Sequence, residues 1–134
     1  MEKPLTPAEA RQYGPATLAF LGDSVYEVLV REYLISQGDQ QVSKLHDQKV
    51  QYVCAKFQAE GYDKILPLLT EEEAAIMRRG RNVHVSVPQH ATAQDYHKAT
   101  GLEALFGYLD CIGDTDREHM LFREILSLTD HPNS

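Results

Sequence analysis

The segment LAFLGDSVYEVLVREYL, residues 18–34, has the composition of a buried helix, yet it contains a glycine followed by an aspartate. A glycine inside a helix costs about 0.5–1 kcal/mol relative to alanine, and an unpaired buried carboxylate costs far more. At about 100° per residue, Asp23, Glu27 and Arg31 share one stripe of this helix. The stripe is either solvated, with an ion pair between Glu27 and Arg31, or it presents Asp23 as a metal ligand or general base.

A second segment, GLEALFGYLD at residues 101–110, repeats this combination of glycine, carboxylate and apolar residues. Glycine permits close backbone approach, so two helices could cross tightly at Gly22 and Gly107. Such a crossing would bring Asp23 and Glu103 together, although they are far apart in the chain. Packing alone explains the two glycines. Together with the two carboxylates, however, the pattern indicates a divalent-metal site.

A third segment, RRGRN, is the densest cationic stretch in a chain whose net charge is -7. Its arginines either complement the dipole of a helix that begins with glutamates 71–73 and stops at Gly80, or they bind phosphates through their planar guanidinium groups. The phosphate-binding prediction covers Arg78, Arg79, Arg81 and Asn82.

The composition is that of an ordinary globular domain, with 43% hydrophobic and 25% charged residues among 134. We expect a single domain over residues 1–134, with its core at about 6–128. Neither a membrane-spanning run nor a secretory signal is present, which favours a cytoplasmic protein. Cys54 and Cys111 lie in apolar helical patterns without metal-ligand spacing, so we expect reduced core thiols.

Breakers and capping signals divide the chain into helices, and since no strand pattern appears, the predicted fold class is all-α. Residues 83–91 are predicted to be a loop or a brief extended segment. The predicted helices are a short one from Thr6-Pro7 to about Gly14-Pro15, a long one over 16–36, one over 42–60 ended by Gly61, a short one within 62–69, one opened by a Thr70–Glu73 capping box, one from Thr92 or Ala93 to Cys111, and a last one opened by a Thr115–Glu118 capping box.

The six histidines raise a different metal hypothesis. The dipeptide His46-Asp47 also occurs in HD metal-dependent phosphohydrolases, which need further ligands on separate helices. Three other histidines, at positions 84, 90 and 97, surround the predicted loop without the tight spacing that favours zinc. Most of the histidines are therefore expected at the surface.

The two glycine-containing segments described first, and the arginine segment, carry a family resemblance. Residues 18–34 resemble the signature helix of the ribonuclease III catalytic domain, and GLEALFGYL is similar to that family's later catalytic helix. The segment TEEEAAIMRRGRN, followed by SVP, narrows the resemblance to the Mini-ribonuclease III group, short bacterial proteins that consist of the catalytic domain alone. The resemblance covers roughly Thr6 to Leu128 and implies a ribonuclease III-like helical bundle.

The resemblance also implies an activity, an Mg²⁺-dependent endoribonuclease with Asp23 and Glu103 as catalytic residues and metal ligands. Full-length ribonuclease III has two further acidic positions, which are Ala19 and Thr100 here. That reduced set is similar to the Mini group. Double-stranded RNA would be cut to 5′-phosphate and 3′-hydroxyl ends, in the maturation of 23S ribosomal RNA precursor, and a ribosomal-protein partner stays open. The residues expected to bind RNA are Arg78, Arg79, Arg81, Asn82 and Lys98, with Lys44 and Lys49 as further candidates.

The family resemblance further implies a homodimer, whose two sites would each cut one strand of the duplex. The nearly continuous apolar circumference of the signature helix exceeds what one small core can cover, so we expect it to supply the dimer surface. The residues expected there are Phe20, Leu21, Val25, Tyr26, Val28 and Leu29. Two alternatives remain open: a non-catalytic RNA-binding or ribosome-assembly module of the same fold, and an HD-type phosphohydrolase.

Overall fold

A computed structural model describes residues 1–84 and 86–129, and within them the chain forms seven α-helices, two 3₁₀ turns and no strand. The all-α prediction is confirmed. Val85, in the predicted loop, and residues 130–134 of the predicted domain lie outside the described residues. The helices are α1 (Pro7–Arg11), α2 (Pro15–Ser36), α3 (Val42–Val53), α4 (Ala55–Ile65), α5 (Glu71–Arg81), α6 (Ala93–Cys111) and α7 (Thr115–Leu126), and the 3₁₀ turns are Leu66–Leu68 and Ser127–Thr129.

The central helix of the bundle is α6, around which α2, α4 and α5 pack, and α7 packs against both α4 and α6. Between Ala99 and Cys111, all residues of α6 are buried except Glu103 and Asp110, which are half-buried. A helix that is apolar on all sides must lie inside a protein. Glu103 therefore belongs to the most enclosed element of the fold. Over residues 1–84 and 86–129, no helix has the length and apolar composition needed to cross a membrane.

Of the two predicted capping boxes, the one at α5 is present and the one at α7 is not, and the predicted start of α6 is confirmed. At α5, the Glu73 amide donates to Thr70 Oγ1 at 3.1 Å and the Thr70 amide donates to Glu73 Oε1 at 3.0 Å. At α6, Thr92 is the N-cap. The capping box predicted for α7 is wrong, because Asp114 is the N-cap and accepts from the Arg117 amide at 3.2 Å.

The single helix predicted over 42–60 is also wrong, because the backbone becomes extended at Cys54, with φ −69° and ψ 153°. This break lets α3 pack on α2 while α4 packs on α6. Gly61 does not end a helix but lies buried inside α4, where a Cβ atom would come within 3.2 Å of Ile125. Cys54 is exposed at the break, so the predicted core thiol is correct only for Cys111.

The apolar circumference of α2 is covered unevenly. Tyr26 is 1% exposed, its hydroxyl donates to the Tyr52 carbonyl at 2.9 Å, and its ring packs edge-on against Phe106 and Phe122. The prediction that Tyr26 lies on a dimer surface is therefore wrong, and Leu29 is likewise buried. Phe20 is 84% exposed and Val28 54%, whereas Leu21 and Val25 are half-buried.

Candidate active site

The site is built where α2 crosses α6. A Cβ atom on Gly22 would overlap the backbone carbonyl of Glu103, and one on Gly107 would overlap the carbonyl of Leu18. The two backbones are thus in direct contact, as the glycine pattern predicts. Asp23 directly follows Gly22, and Gly22 contacts the backbone of Glu103. The crossing itself therefore makes the two carboxylates neighbours.

Asp23 and Glu103 line one cavity of about 310 Å³, in which Asp23 is exposed and Glu103 is half-buried. Burial raises the pKa of Glu103 to about 8, and the neighbouring negative charge of Asp23 raises it in the same direction. A bound cation would oppose both effects, because it favours the ionised form of each carboxylate. The pair is thus a site at which positive charge is stabilising.

Gln58 is the third polar side chain at this position, and sequence analysis missed it. It comes from α4, is 4% exposed, and its Nε2 donates to Glu103 Oε2 at 3.4 Å. This hydrogen bond acts on the pKa of Glu103 in the lowering direction, against burial. A signal was available, because Gln58 lies four and seven residues before Tyr62 and Ile65, on an otherwise apolar helical stripe.

The remaining walls of the cavity come from three places in the chain: the break between α3 and α4, the loop before α6, and the first half of α6. The lining residues are Val53, Cys54, Ala55, Pro88, His90, Ala91, Tyr96, Ala99 and Thr100. Across the described part of the chain, no three histidine, cysteine or acidic side chains are grouped closely enough to hold a metal ion. The donor set is therefore two carboxylates, which suits Mg²⁺, since this ion keeps several waters and binds through one or two carboxylates plus substrate phosphates.

The cationic segment is held against the same helix. Gly80 is not the predicted helix stop but lies buried in the last turn of α5, where a Cβ atom would come within 2.9 Å of the Gly101 Cα. A Cβ atom on Gly101 would in turn lie 3.1 Å from the Arg81 nitrogen. This second glycine contact places the end of α5 two residues from Glu103 along α6.

The arginines themselves are available for binding. Arg78 and Arg79 are exposed, Arg81 is half-buried, and Asn82 is the exposed C-cap residue. Throughout residues 1–84 and 86–129, no carboxylate lies within 4.0 Å of the three guanidinium groups. They also lie in the last turn of α5, where cations complement the helix dipole. Both explanations of the segment are compatible with this geometry.

Lys98, the other predicted RNA contact, already has a partner. Its Nζ donates to both carboxylate oxygens of Asp63, at 2.9 and 3.1 Å, and lies 5.9 Å from the centre of the Tyr62 ring. Lys49 similarly lies 3.6 Å from Glu27, which also pairs with Arg31 as the solvated-stripe interpretation expects.

Within the described residues, the histidines form no common centre. His46 lines a groove between α2 and α3, away from the carboxylate cavity, and His84 and His90 are exposed. His97 is half-buried, and its Nδ1 has no hydrogen-bond partner within the described residues. The geometry therefore assembles no HD-type ligand set from the part of the chain that is described.

Comparison with known proteins agrees with the family resemblance of the sequence. The family model of the ribonuclease III domain matches residues 16–111. A Mini-ribonuclease 3 of Thermoanaerobacter sp. (strain X514) is 44% identical over 114 residues, which are 84% of this chain and 80% of the relative. One from Synechococcus sp. is 46% identical over 108 residues, 81% of this chain and 78% of the relative. A crystal structure of a Fusobacterium nucleatum protein superposes with a TM-score of 0.81 at 30% identity, covering 87% of this chain and 96% of that one.

Proposed function

Since the chain belongs to the ribonuclease III family, in its Mini-ribonuclease III group, and is an endoribonuclease, we propose that Asp23 and Glu103 form its catalytic centre. The family acts on double-stranded RNA and generally depends on a divalent metal ion. The observation that carries the assignment is the shared cavity: two carboxylates from different helices lie together, and burial and the neighbouring charge of Asp23 disfavour ionisation of Glu103.

Mg²⁺ is the ion that we assign to this cavity, and Asp23 and Glu103 are the residues that would hold it. The fit rests on the donor chemistry, which is two carboxylate groups beside a buried amide. When bound, such an ion polarises a phosphodiester and lowers the pKa of a water molecule. Asp23 is exposed and would be the carboxylate that is accessible to substrate, whereas the half-buried Glu103 is held in place by its packed helix.

Substrate binding is proposed to rest on Arg78, Arg79, Arg81 and Asn82, at the end of α5. A-form RNA hides the base edges of its major groove, so recognition should depend on duplex shape and phosphates. The net charge of -7 is then no obstacle, because only this local surface has to be positive. Lys98 would join by exchanging its Asp63 partner for a phosphate.

We further propose a homodimer, because one compact site cannot easily reach both strands of a duplex. Two of the exposed apolar side chains of α2, Phe20 and Val28, are the candidate contact surface. By similarity to the Mini-ribonuclease 3 proteins, the proposed substrate is 23S ribosomal RNA precursor in the cytoplasm, with 5′-phosphate and 3′-hydroxyl products. A ribosomal protein is a candidate auxiliary partner.

The deciding experiment is incubation of the purified protein with a duplex of precursor ribosomal RNA and Mg²⁺, followed by mapping of the ends. We expect paired cuts that require the metal and are lost in Asp23→Asn. The matched control is Asp47→Asn, which removes the exposed carboxylate of the His46-Asp47 pair and should cleave normally. RNA binding without cuts by the wild type would favour the non-catalytic module, whereas loss of activity only in Asp47→Asn would favour the phosphohydrolase.

A further inference from the structure

We propose that Gln58 is a positioning residue, which orients Glu103 and thereby determines how tightly the cavity binds a divalent cation. This inference rests on the proposed function of the Asp23–Glu103 site. It concerns a residue that lies on a third helix and contributes no carboxylate of its own.

The burial of Gln58 calls for an explanation. A buried amide is unfavourable unless it is hydrogen-bonded, and the neighbouring stripe positions Tyr62 and Ile65 are occupied by apolar residues in contact with the core. Within the described residues, the one side-chain hydrogen bond of Gln58 runs to Glu103. An apolar residue would satisfy the packing of α4 without any such requirement.

Two of the three other polar side chains that are equally buried, Glu73 and Thr100, serve the fold instead, whereas the Glu118 side chain makes no hydrogen bond within the described residues. Glu73 accepts from Arg117 at 2.7 and 2.9 Å and caps its own helix, and Thr100 donates to the Tyr96 carbonyl one turn earlier at 3.0 Å. Gln58 differs from these because its partner is the carboxylate of the site. Its hydrogen bond does not cap a helix. It connects α4 to α6 only at Glu103, the proposed reactive position.

The chemistry of the amide suits this task. A donor on Oε2 of Glu103 leaves the second carboxylate oxygen for a cation, and it restricts rotation of the carboxylate about its last bond. Removing a hydrogen bond of this kind from a ligand carboxylate typically lowers metal affinity or activity by about 10–100-fold. At 3.4 Å the contact is long, and hydrogen bonds to an ionised acceptor are shorter, so we expect it to shorten when Glu103 is ionised.

The test measures Mn²⁺ binding to the full chain without RNA, from the electron paramagnetic resonance signal of the free ion. Gln58→Met, which keeps the volume and removes the donor, should weaken binding about 10–100-fold. Its cleavage defect should be partly rescued by raising the metal concentration. Gln58→Glu should bind Mn²⁺ at least as tightly as the wild type, because it adds a charged oxygen ligand.

The matched control is Gln48→Met, the same substitution at a half-buried glutamine that pairs only with Gln40, at 3.0 and 3.3 Å, outside the cavity. It should leave Mn²⁺ affinity unchanged. Wild-type affinity in Gln58→Met would overturn the inference. If Gln58→Met does not fold, wild-type affinity in Gln58→Leu, which also lacks the donor, would overturn it.

The two proposals can fail separately. If the wild type binds Mn²⁺ in a manner that depends on Asp23 but cuts no RNA, the proposed function fails and the role of Gln58 is still measured. If the wild type cuts RNA and Gln58→Met retains full metal affinity, only the role of Gln58 is refuted.

Discussion

Gly22 and Gly107 meet backbone to backbone: a Cβ atom on Gly22 would lie 2.8 Å from the Gly107 nitrogen, and one on Gly107 would lie 3.1 Å from the Gly22 nitrogen. The contact is reciprocal, because each glycine lies against the backbone of the other helix. Neither α2 nor α6 can therefore shift without disrupting the packing of both. It also sets the relative positions of Asp23 and Glu103, which adjoin it. The glycines and the carboxylates are therefore parts of one arrangement.

Gly22→Ala and Gly107→Ala should each destabilise the protein by about 3 kcal/mol or more, because the added methyl overlaps rigid backbone rather than a movable side chain. Thermal unfolding followed by circular dichroism is the measurement. Gly14→Ala is the control, since a Cβ there would have its nearest neighbour at 4.0 Å, and it should cost less than about 1 kcal/mol. Equal effects at all three glycines would contradict the close crossing.

Asp23→Asn and Glu103→Gln should each reduce single-turnover cleavage by roughly 1,000-fold or more, and the double variant should be little worse than either. Each amide preserves shape but removes the charge that a cation requires. Because each substitution also removes repulsion between the carboxylates, thermal stability should stay equal or rise. Additive effects of the two substitutions, or near-normal cleavage in either variant at saturating Mg²⁺, would remove the catalytic assignment.

Arg78, Arg79 and Arg81 changed together to alanine should weaken duplex RNA binding and reduce its dependence on salt. The slope of log affinity against log salt concentration should become shallower by about 0.9 for each phosphate that the variant no longer binds. Filter binding at several salt concentrations measures it. Arg123→Ala, which removes another last-turn arginine on α7, should leave the slope unchanged. An unchanged slope in the triple variant, with a large loss of stability, would support the helix-dipole explanation.

Phe20→Glu should convert a dimer to monomers without loss of helical content, since Phe20 is 84% exposed in the single chain. Light scattering at several concentrations, together with the cleavage assay, tests this. Ile35→Glu, at a residue of α2 that is 61% exposed near the other end of the helix, is the control. Tyr26 is unsuitable for the same test, because a charge in the core would unfold the chain. A wild-type monomer that still makes paired cuts would refute the dimer.

Glu118 should make stability depend on pH. Burial raises its pKa to about 7, the Asp110 charge adds to this shift, and Lys3 opposes it. Since the folded-state pKa lies above the ordinary value of 4.5, the contribution is fully present below about pH 4.5 and is lost as pH rises through about 7. The loss should be on the order of 2 kcal/mol.

The measurement is the unfolding free energy of Glu118→Gln and wild type between about pH 4 and pH 8, the range that spans both pKa values. The variant should show a smaller decline, because its amide does not titrate. Glu32→Gln removes an exposed carboxylate that lines a surface cavity together with Glu118, and it controls for the change in net charge. Parallel curves for wild type and Glu118→Gln would show that Glu118 does not titrate as described.

The parts that could be predicted depend on neighbours along the chain. The capping box of α5 joins Thr70 to a residue three positions later, and the Glu27–Arg31 pair joins positions four apart. Both contacts follow from helix geometry alone. The pairing of Asp23 with Glu103 could also be anticipated, because each carboxylate adjoins a helix glycine that only a close crossing explains.

The parts that could not be predicted depend on what covers each helix face. The apolar pattern of α2 is the same around Phe20 and Tyr26, yet one is 84% and the other 1% exposed. Gln58 interrupts an apolar stripe of α4, but its partner Glu103 is identified only when α4 is packed against α6. The break at Cys54 is not marked by a glycine or proline in the sequence. It arises because α3 and α4 pack on different helices.

The sequence by itself thus determined the all-α class, most helix boundaries and the close approach of Asp23 to Glu103, because these rest on local geometry and on family motifs. Only the tertiary structure decided that Tyr26 supports the core, that Gly80 presses α5 against α6, and that Gln58 reaches Glu103. The physical reason is that burial and a low-dielectric hydrogen bond are properties of the surroundings. Those surroundings come from helices distant in the chain, whose arrangement local periodicity does not specify.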